Sequence, residues 1–159
     1  MIKKKLQWRI FLPNGKLDSP QEMGTFSAKF ESTESRKGLV RWLASLQGGE
    51  DIGLICRTTM RAFMTNKLMS FYSVKGQKGK LPFNKTTAYS IVLKSVKRAC
   101  RGKVSLSDVM LEVGDVLRNA PNKPGGINYI KKQHQNKQNK EFERTTEMEG
   151  DDSDASISD

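Results

Sequence analysis

The chain has 159 residues, of which 28 are Lys or Arg and 17 are Asp or Glu, and 36% are hydrophobic. That length holds one domain with tails and no second independent core, and the low apolar share predicts that part of it does not pack. The formal charge of +11 points to a polyanionic partner and away from an acidic small-molecule substrate.

The charge is not evenly spread. Between Arg36 and Ala120 lie sixteen basic and five acidic residues, whereas the flanks carry six against four before that segment and six against eight after it. All of the excess therefore sits in the middle. No run approaches the roughly 20 apolar residues that span a bilayer. The apolar stretch after Met1-Ile2-Lys3-Lys4-Lys5 is too short and broken for a signal peptide, so an intracellular protein without membrane attachment is expected. Cys56 and Cys100 fall in predicted helices and read as buried apolar side chains rather than a disulfide.

In chain order, Leu6, Trp8, Ile10 and Leu12 alternate as in a short strand or hairpin arm ending at Pro13-Asn14-Gly15. Residues 18–35, rich in Ser, Thr, Glu and Gly, read as a linker. A helix is expected from Ser35 to Gln47, with Leu39, Trp42, Leu43 and Leu46 on one face and Gly48-Gly49 as its stop. Glu50-Asp51 opens a second helix whose buried stripe is Ile52, Ile55, Cys56, Thr59 and Phe63. Residues 66–73 read as a short third helix.

Next comes Val74-Lys75-Gly76-Gln77-Lys78-Gly79-Lys80, in which glycines allow backbone turns that bring Lys75, Lys78 and Lys80 toward one partner. Such a loop is either phosphate-binding or merely solvated. Asn84 is the expected N-cap of a fourth helix reaching Cys100. On that helix Ala88, Ile91, Val92, Ser95, Val96 and Ala99 share one side, and Lys94, Lys97, Arg98 and Arg101 nearly the opposite one. No acid occurs between Asn84 and Lys103, so the like charges there gain nothing from i,i+4 pairing. Ser105-Leu106-Ser107-Asp108 resembles a capping box, and Leu106, Val109, Met110, Val113 and Leu117 make the stripe of a fifth helix closed by Pro121. The remainder, Lys/Gln/Asn-rich and then acidic and Ser-rich, is expected to be disordered, its acidic end a possible competitor for the basic core.

Two familiar chemistries do not fit these residues. Gly76-Gln77-Lys78-Gly79-Lys80-Leu81 has the wrong glycine spacing for a nucleotide-binding loop, and Leu81 stands where Ser or Thr is needed. The lone His134 sits in the polar tail, away from either cysteine. No catalytic residue, metal site or cofactor is expected.

Leu46-Gln47-Gly48-Gly49-Glu50-Asp51, then Arg57 and Met60, the Val74–Lys80 loop with Phe83, and Leu117-Arg118-Asn119-Ala120-Pro121 together resemble the animal family named domain of unknown function 4806. The resemblance covers roughly residues 38–121. Members of that family are often transposon-associated or nuclear, and their helical pattern is similar to the BEN domain, a DNA-binding and protein-interaction module. The resemblance implies a nuclear, helical, DNA-binding protein.

The expected architecture is mainly α: four to five short helices over 36–121, preceded by an N-terminal segment and linker over 1–35 and followed by a disordered tail over 122–159. The expected function is nucleic-acid binding, to DNA first and RNA as the alternative. Lys75, Lys78 and Lys80 hold phosphates from the loop, and Lys94, Lys97, Arg98, Arg101 and Lys103 from the fourth helix. The competing reading is a protein-interaction or self-association adaptor.

Overall fold

A computed structural model describes residues 15–149, and over them the protein is mainly α-helical. The strand expected over residues 6–12 and the acidic end after 149 lie outside the described residues.

The first helix, α1 (Pro20–Lys29), occupies the stretch expected to be a linker. That reading is corrected by packing: Met23, Phe26 and Phe30 are buried, and the Phe26 ring lies 4.6 Å from Phe30 and 5.8 Å from Phe63. Local chemistry starts the helix. Ser19 accepts from the Glu22 amide at 3.3 Å, the Glu22 carboxylate accepts from the Asp18 amide at 2.7 Å, and Pro20 occupies the first turn, where its missing N–H costs nothing. Just before it, Leu17 bridges to Met64, donating to the Phe63 carbonyl at 2.8 Å and accepting from Thr65 at 3.0 Å.

Helix α2 (Thr33–Ala44) starts and ends about two to three residues earlier than expected. It buries Leu39, Val40 and Leu43, whereas Leu46 lies beyond its end and is exposed. Gly49 makes the reversal with φ of 121°. Helix α3 (Ile52–Phe63) is capped by the Asp51 carboxylate, which accepts from the Leu54 amide at 2.9 Å. It buries Ile55, Cys56, Thr59, Met60 and Phe63, so most of the expected stripe is realised.

The expected third helix shrinks to one turn, α4 (Asn66–Met69), after which Tyr72–Ser73 form a strand, β1. It pairs in parallel with β2 (Leu81–Pro82), Tyr72 opposite Leu81 and Ser73 opposite Pro82. Parallel neighbours ordinarily need a crossover of a dozen residues or more; here seven, Val74–Lys80, close the circuit. Positive φ at Gly76, Lys78 and Gly79 makes that possible. A side chain at Gly76 would press on Pro82, 3.1 Å from the position of a Cβ.

Asn84 does not cap the following helix. Phe83 is fully buried between Tyr72 and Tyr89, each ring 5.8 Å away, and this anchor folds Phe83–Lys85 into a 3-10 turn. The cap passes to Thr86, whose hydroxyl accepts from the Tyr89 amide at 3.2 Å. Helix α5 (Thr87–Ala99) is the centre of the fold, packed against α1, α2, α3 and α6 (Leu106–Asn119). Ala88 and Ser95 on its buried face are small enough for close approach, and the Ser95 hydroxyl donates to the Ile91 carbonyl at 2.6 Å. Ser105 caps α6 as expected, accepting from Asp108 at 3.1 Å. In α6 Val109, Val113, Val116 and Leu117 are buried, whereas Leu106 is exposed.

A second 3-10 turn (Ala120–Asn122) leads into α7 (Ile127–Glu149), which replaces the expected disorder over those residues. Its start is tied down. The Asn66 side-chain amide donates to the Pro124 carbonyl at 3.0 Å, and a Cβ on Gly126 would meet the carbonyl oxygens of Ala120 and Pro121. From Lys131 to Met148 every residue is exposed. Lys, Gln, Glu and Arg are good helix formers, and neither Gly nor Pro interrupts 127–149. Local propensity, not burial, makes this helix, which is why an apolar-pattern reading of the sequence missed it. No helix among the described residues is long and apolar enough to cross a membrane.

Candidate nucleic-acid interface

The exposed side of α5 does not stand alone. It lies beside α2, and two adjoining depressions run along the seam. The larger, about 800 Å³, takes Arg41 from α2 and Arg98, Arg101 and Lys103 from the end of α5. The smaller, about 380 Å³, takes Arg36, Lys37 and Arg41 together with Lys94 and Arg98. Arg41 and Arg98 belong to both. The seam is therefore a continuous basic track.

The turn after α5 explains how Arg101 and Lys103 reach it. The Gly102 amide donates to the Lys97 carbonyl at 2.9 Å and the Arg101 amide to the Arg98 carbonyl at 3.0 Å. This is the Schellman arrangement, with Arg101 in the left-handed position where glycine is usual. Its φ is 54° and that of Gly102 is 74°. Arg101 and Lys78 are the only non-glycine residues with positive φ among the described residues, and both are cations singled out from the sequence. A left-handed conformation costs a residue with a side chain about 1–2 kcal/mol.

Apolar side chains make up much of the larger cleft's walls: Ala44, Ile52, Ala99, Cys100 and Val104. Glu50 is the acid in its lining. Helices α2 and α5 both end there, and their last-turn carbonyls are taken up by the turns that follow: Ser45 and Leu46 donate to Arg41 and Leu43, and Arg101 and Gly102 to Arg98 and Lys97. Burial pushes the Cys100 thiol up from its ordinary range. The fully buried Cys56 thiol is pushed up to about 12, chiefly by burial and then by the Glu112 carboxylate. Both cysteines are free.

Lys94, Arg98, Arg101 and Lys103 thus converge with one another. Lys97 is exposed on α5 but lines neither depression. Lys75, Lys78 and Lys80 lie elsewhere: their loop precedes the N-terminus of α5, roughly 20 Å of helix from its C-terminal turn. None of the three lines either depression. Sequence reasoning missed Arg36, Lys37 and Arg41, although no acid occurs between Ser35 and Gly49, the same sign bias that drew attention to α5.

Ion pairing leaves the track largely free. Among the described residues the ion pairs are Lys37–Glu34 at 3.7 Å, Lys67–Asp18 at 3.4 Å and Arg118–Asp115 at 2.7 Å, so of the track only Lys37 is paired, at the surface. Arg36 donates to the Phe30 carbonyl. No family model, curated protein or solved structure matches the chain. The chemistry of the site is read from its own residues.

Proposed function

We propose that this domain is a non-catalytic nucleic-acid-binding module of the nucleus that grips the phosphate backbone, DNA or RNA, along the α2–α5 seam. One observation carries the reading: cations from two helices far apart in sequence meet on one surface, and only Lys37 among them has an acidic partner. Helix dipoles do not account for this, because Arg36 and Lys37 lie in the first half of α2, away from its C-terminus. The loop of Lys75, Lys78 and Lys80 is a separate contact at the opposite end of α5. The nuclear part of this reading comes from the sequence resemblance alone, and the buried Cys100 thiol, its pKa raised by burial, does not favour a nucleophile in the cleft.

Electrophoretic shift across salt tests the proposal. Neutralising about four to six phosphates gives a slope of log K against log salt of roughly −3 to −5. Arg41→Ala with Arg98→Ala should weaken binding and flatten the slope by roughly 1.4–1.8. A slope near zero for the wild-type protein overturns the proposal.

A second reading, an interaction adaptor, has its own support: Leu111 on α6 and Phe142 on α7 are 69% and 70% exposed. Light scattering that finds a nuclease-resistant oligomer would favour it.

A further inference from the structure

We infer that the larger α2–α5 cleft seats a nucleotide of an unpaired strand, with the base inside and its phosphates on the rim. This rests on the nucleic-acid reading above and narrows its ligand.

Shape is the first ground. A duplex is a rod, and proteins read it by inserting a convex helix or ribbon into a groove about 12 Å wide. The site here is concave. Its volume of about 800 Å³ falls in the range of roughly 300–1,000 Å³ typical of sites that enclose a small organic molecule. A rod laid across it would touch the rim cations and leave the floor empty.

Layering is the second. Phosphates need only the exposed cations, yet the cleft is also lined by half-buried apolar side chains, Ile52, Ala99 and Val104 among them. Burying those side chains against a base removes apolar surface from water, while Arg98 and Arg101 offer planar guanidinium groups on which a base can stack.

The third ground is the carboxylate. Glu50 in a pure phosphate site would repel its ligand, but beside a base it accepts from an exocyclic amino group, as carboxylates do from the cytosine amine. The adjoining depression, with Arg36, Lys37 and Lys94, then carries the neighbouring phosphates of the strand.

Fluorescence anisotropy with the full chain distinguishes the ligands. Probes are cytosine- and thymine-only strands of about 12 nucleotides, as DNA and RNA, and a blunt duplex of that length, at about 50 mM salt to keep phosphate contacts strong. Single strands, of either sugar, should bind at least tenfold tighter than the duplex. Ala99→Leu and, from the opposite wall, the exposed Ser45→Leu fill the cleft without touching a charge. Each should weaken single-strand binding severalfold and leave duplex binding within twofold, with circular dichroism confirming the fold. Glu50→Gln should reduce a preference for cytosine over thymine. Duplex binding equal to or tighter than single-strand binding, or filled clefts that bind single strands unchanged, overturns the inference while the broader function stands. Failure of wild-type protein to bind any of the probes removes both.

Discussion

Replacing Arg101 by glycine should make the protein more stable and a poorer binder at once. Arg101 holds φ of 54° in the turn closing α5, a conformation that costs about 1–2 kcal/mol with a side chain and almost nothing without one. Glycine also gains freedom in the unfolded chain, which returns about 0.5–1 kcal/mol of that relief. The net gain is about 0.5–1 kcal/mol, or a rise in Tm of ~2–5 °C for a domain of this size. Loss of the guanidinium removes one rim cation, so the slope of log K against log salt should flatten by roughly 0.7–0.9. Arg101→Ala separates the two effects: it keeps the strain and loses the charge, so its Tm should stay near wild type while its binding falls with that of the glycine variant. Thermal unfolding followed by circular dichroism and anisotropy at two salt concentrations measure both. A glycine variant with a lower Tm, or one with wild-type affinity and salt slope, refutes the reasoning.

Phe26→Ala should cost about 3–5 kcal/mol, because its ring is buried against Phe30 and Phe63; an effect below about 1 kcal/mol in urea unfolding would return residues 18–35 to the status of a linker. Gly126→Ala should cost about 1–3 kcal/mol as the turn into α7 moves off the Ala120 and Pro121 carbonyls, and equal urea midpoints for the two proteins would count against that contact. The Cys56 thiol, raised in the folded state from its ordinary 9.0 to about 12, contributes stability that is complete below about pH 9 and lost as pH rises toward 12. In that window Cys56→Ala should show a shallower decline than wild type, by up to ~1.4 kcal/mol per pH unit; parallel curves would contradict it.

Most of the helical core is readable from apolar spacing, since α3, α5 and α6 bury side chains at i, i+3, i+4 and i+7, and that period is set by the helix itself. Helix α1 was equally legible in another signal. Ser19-Pro20-Gln21-Glu22 is a capping box with proline in the first turn, and Met23, Phe26 and Phe30 follow at helical spacing; the surrounding Ser, Thr and Gly obscured it. The β1–β2 pair was not legible, because two-residue strands have no period and their pairing depends on three positive φ angles. The site was half legible. Sign bias on α5 found Lys94, Arg98 and Arg101, but only the packing of α2 on α5 brings in Arg36, Lys37 and Arg41, and no local pattern encodes that adjacency. The loop lysines share the bias without sharing the place.

The same charges give stability and affinity opposite responses to salt. Cations along one seam with few acids beside them repel each other in the free protein, and self-repulsion of this kind weakens the compact state. Screening shortens its reach to about 10 Å at 0.1 M salt, so raising salt from about 20 mM toward that value should raise the Tm of the free protein. Over the same interval affinity for a polyanion falls, because each counterion released on binding gains less entropy in a saltier solution. At low salt an oligonucleotide at about 100 times its Kd adds roughly 2.7 kcal/mol of stability; at high salt that increment vanishes, and the Tm values with and without ligand meet. Calorimetry at three salt concentrations, with and without a single-stranded oligonucleotide, follows both curves. A free protein whose Tm falls with added salt would mean that attractive pairs dominate its surface, and the charge argument for a polyanion site would lose its basis.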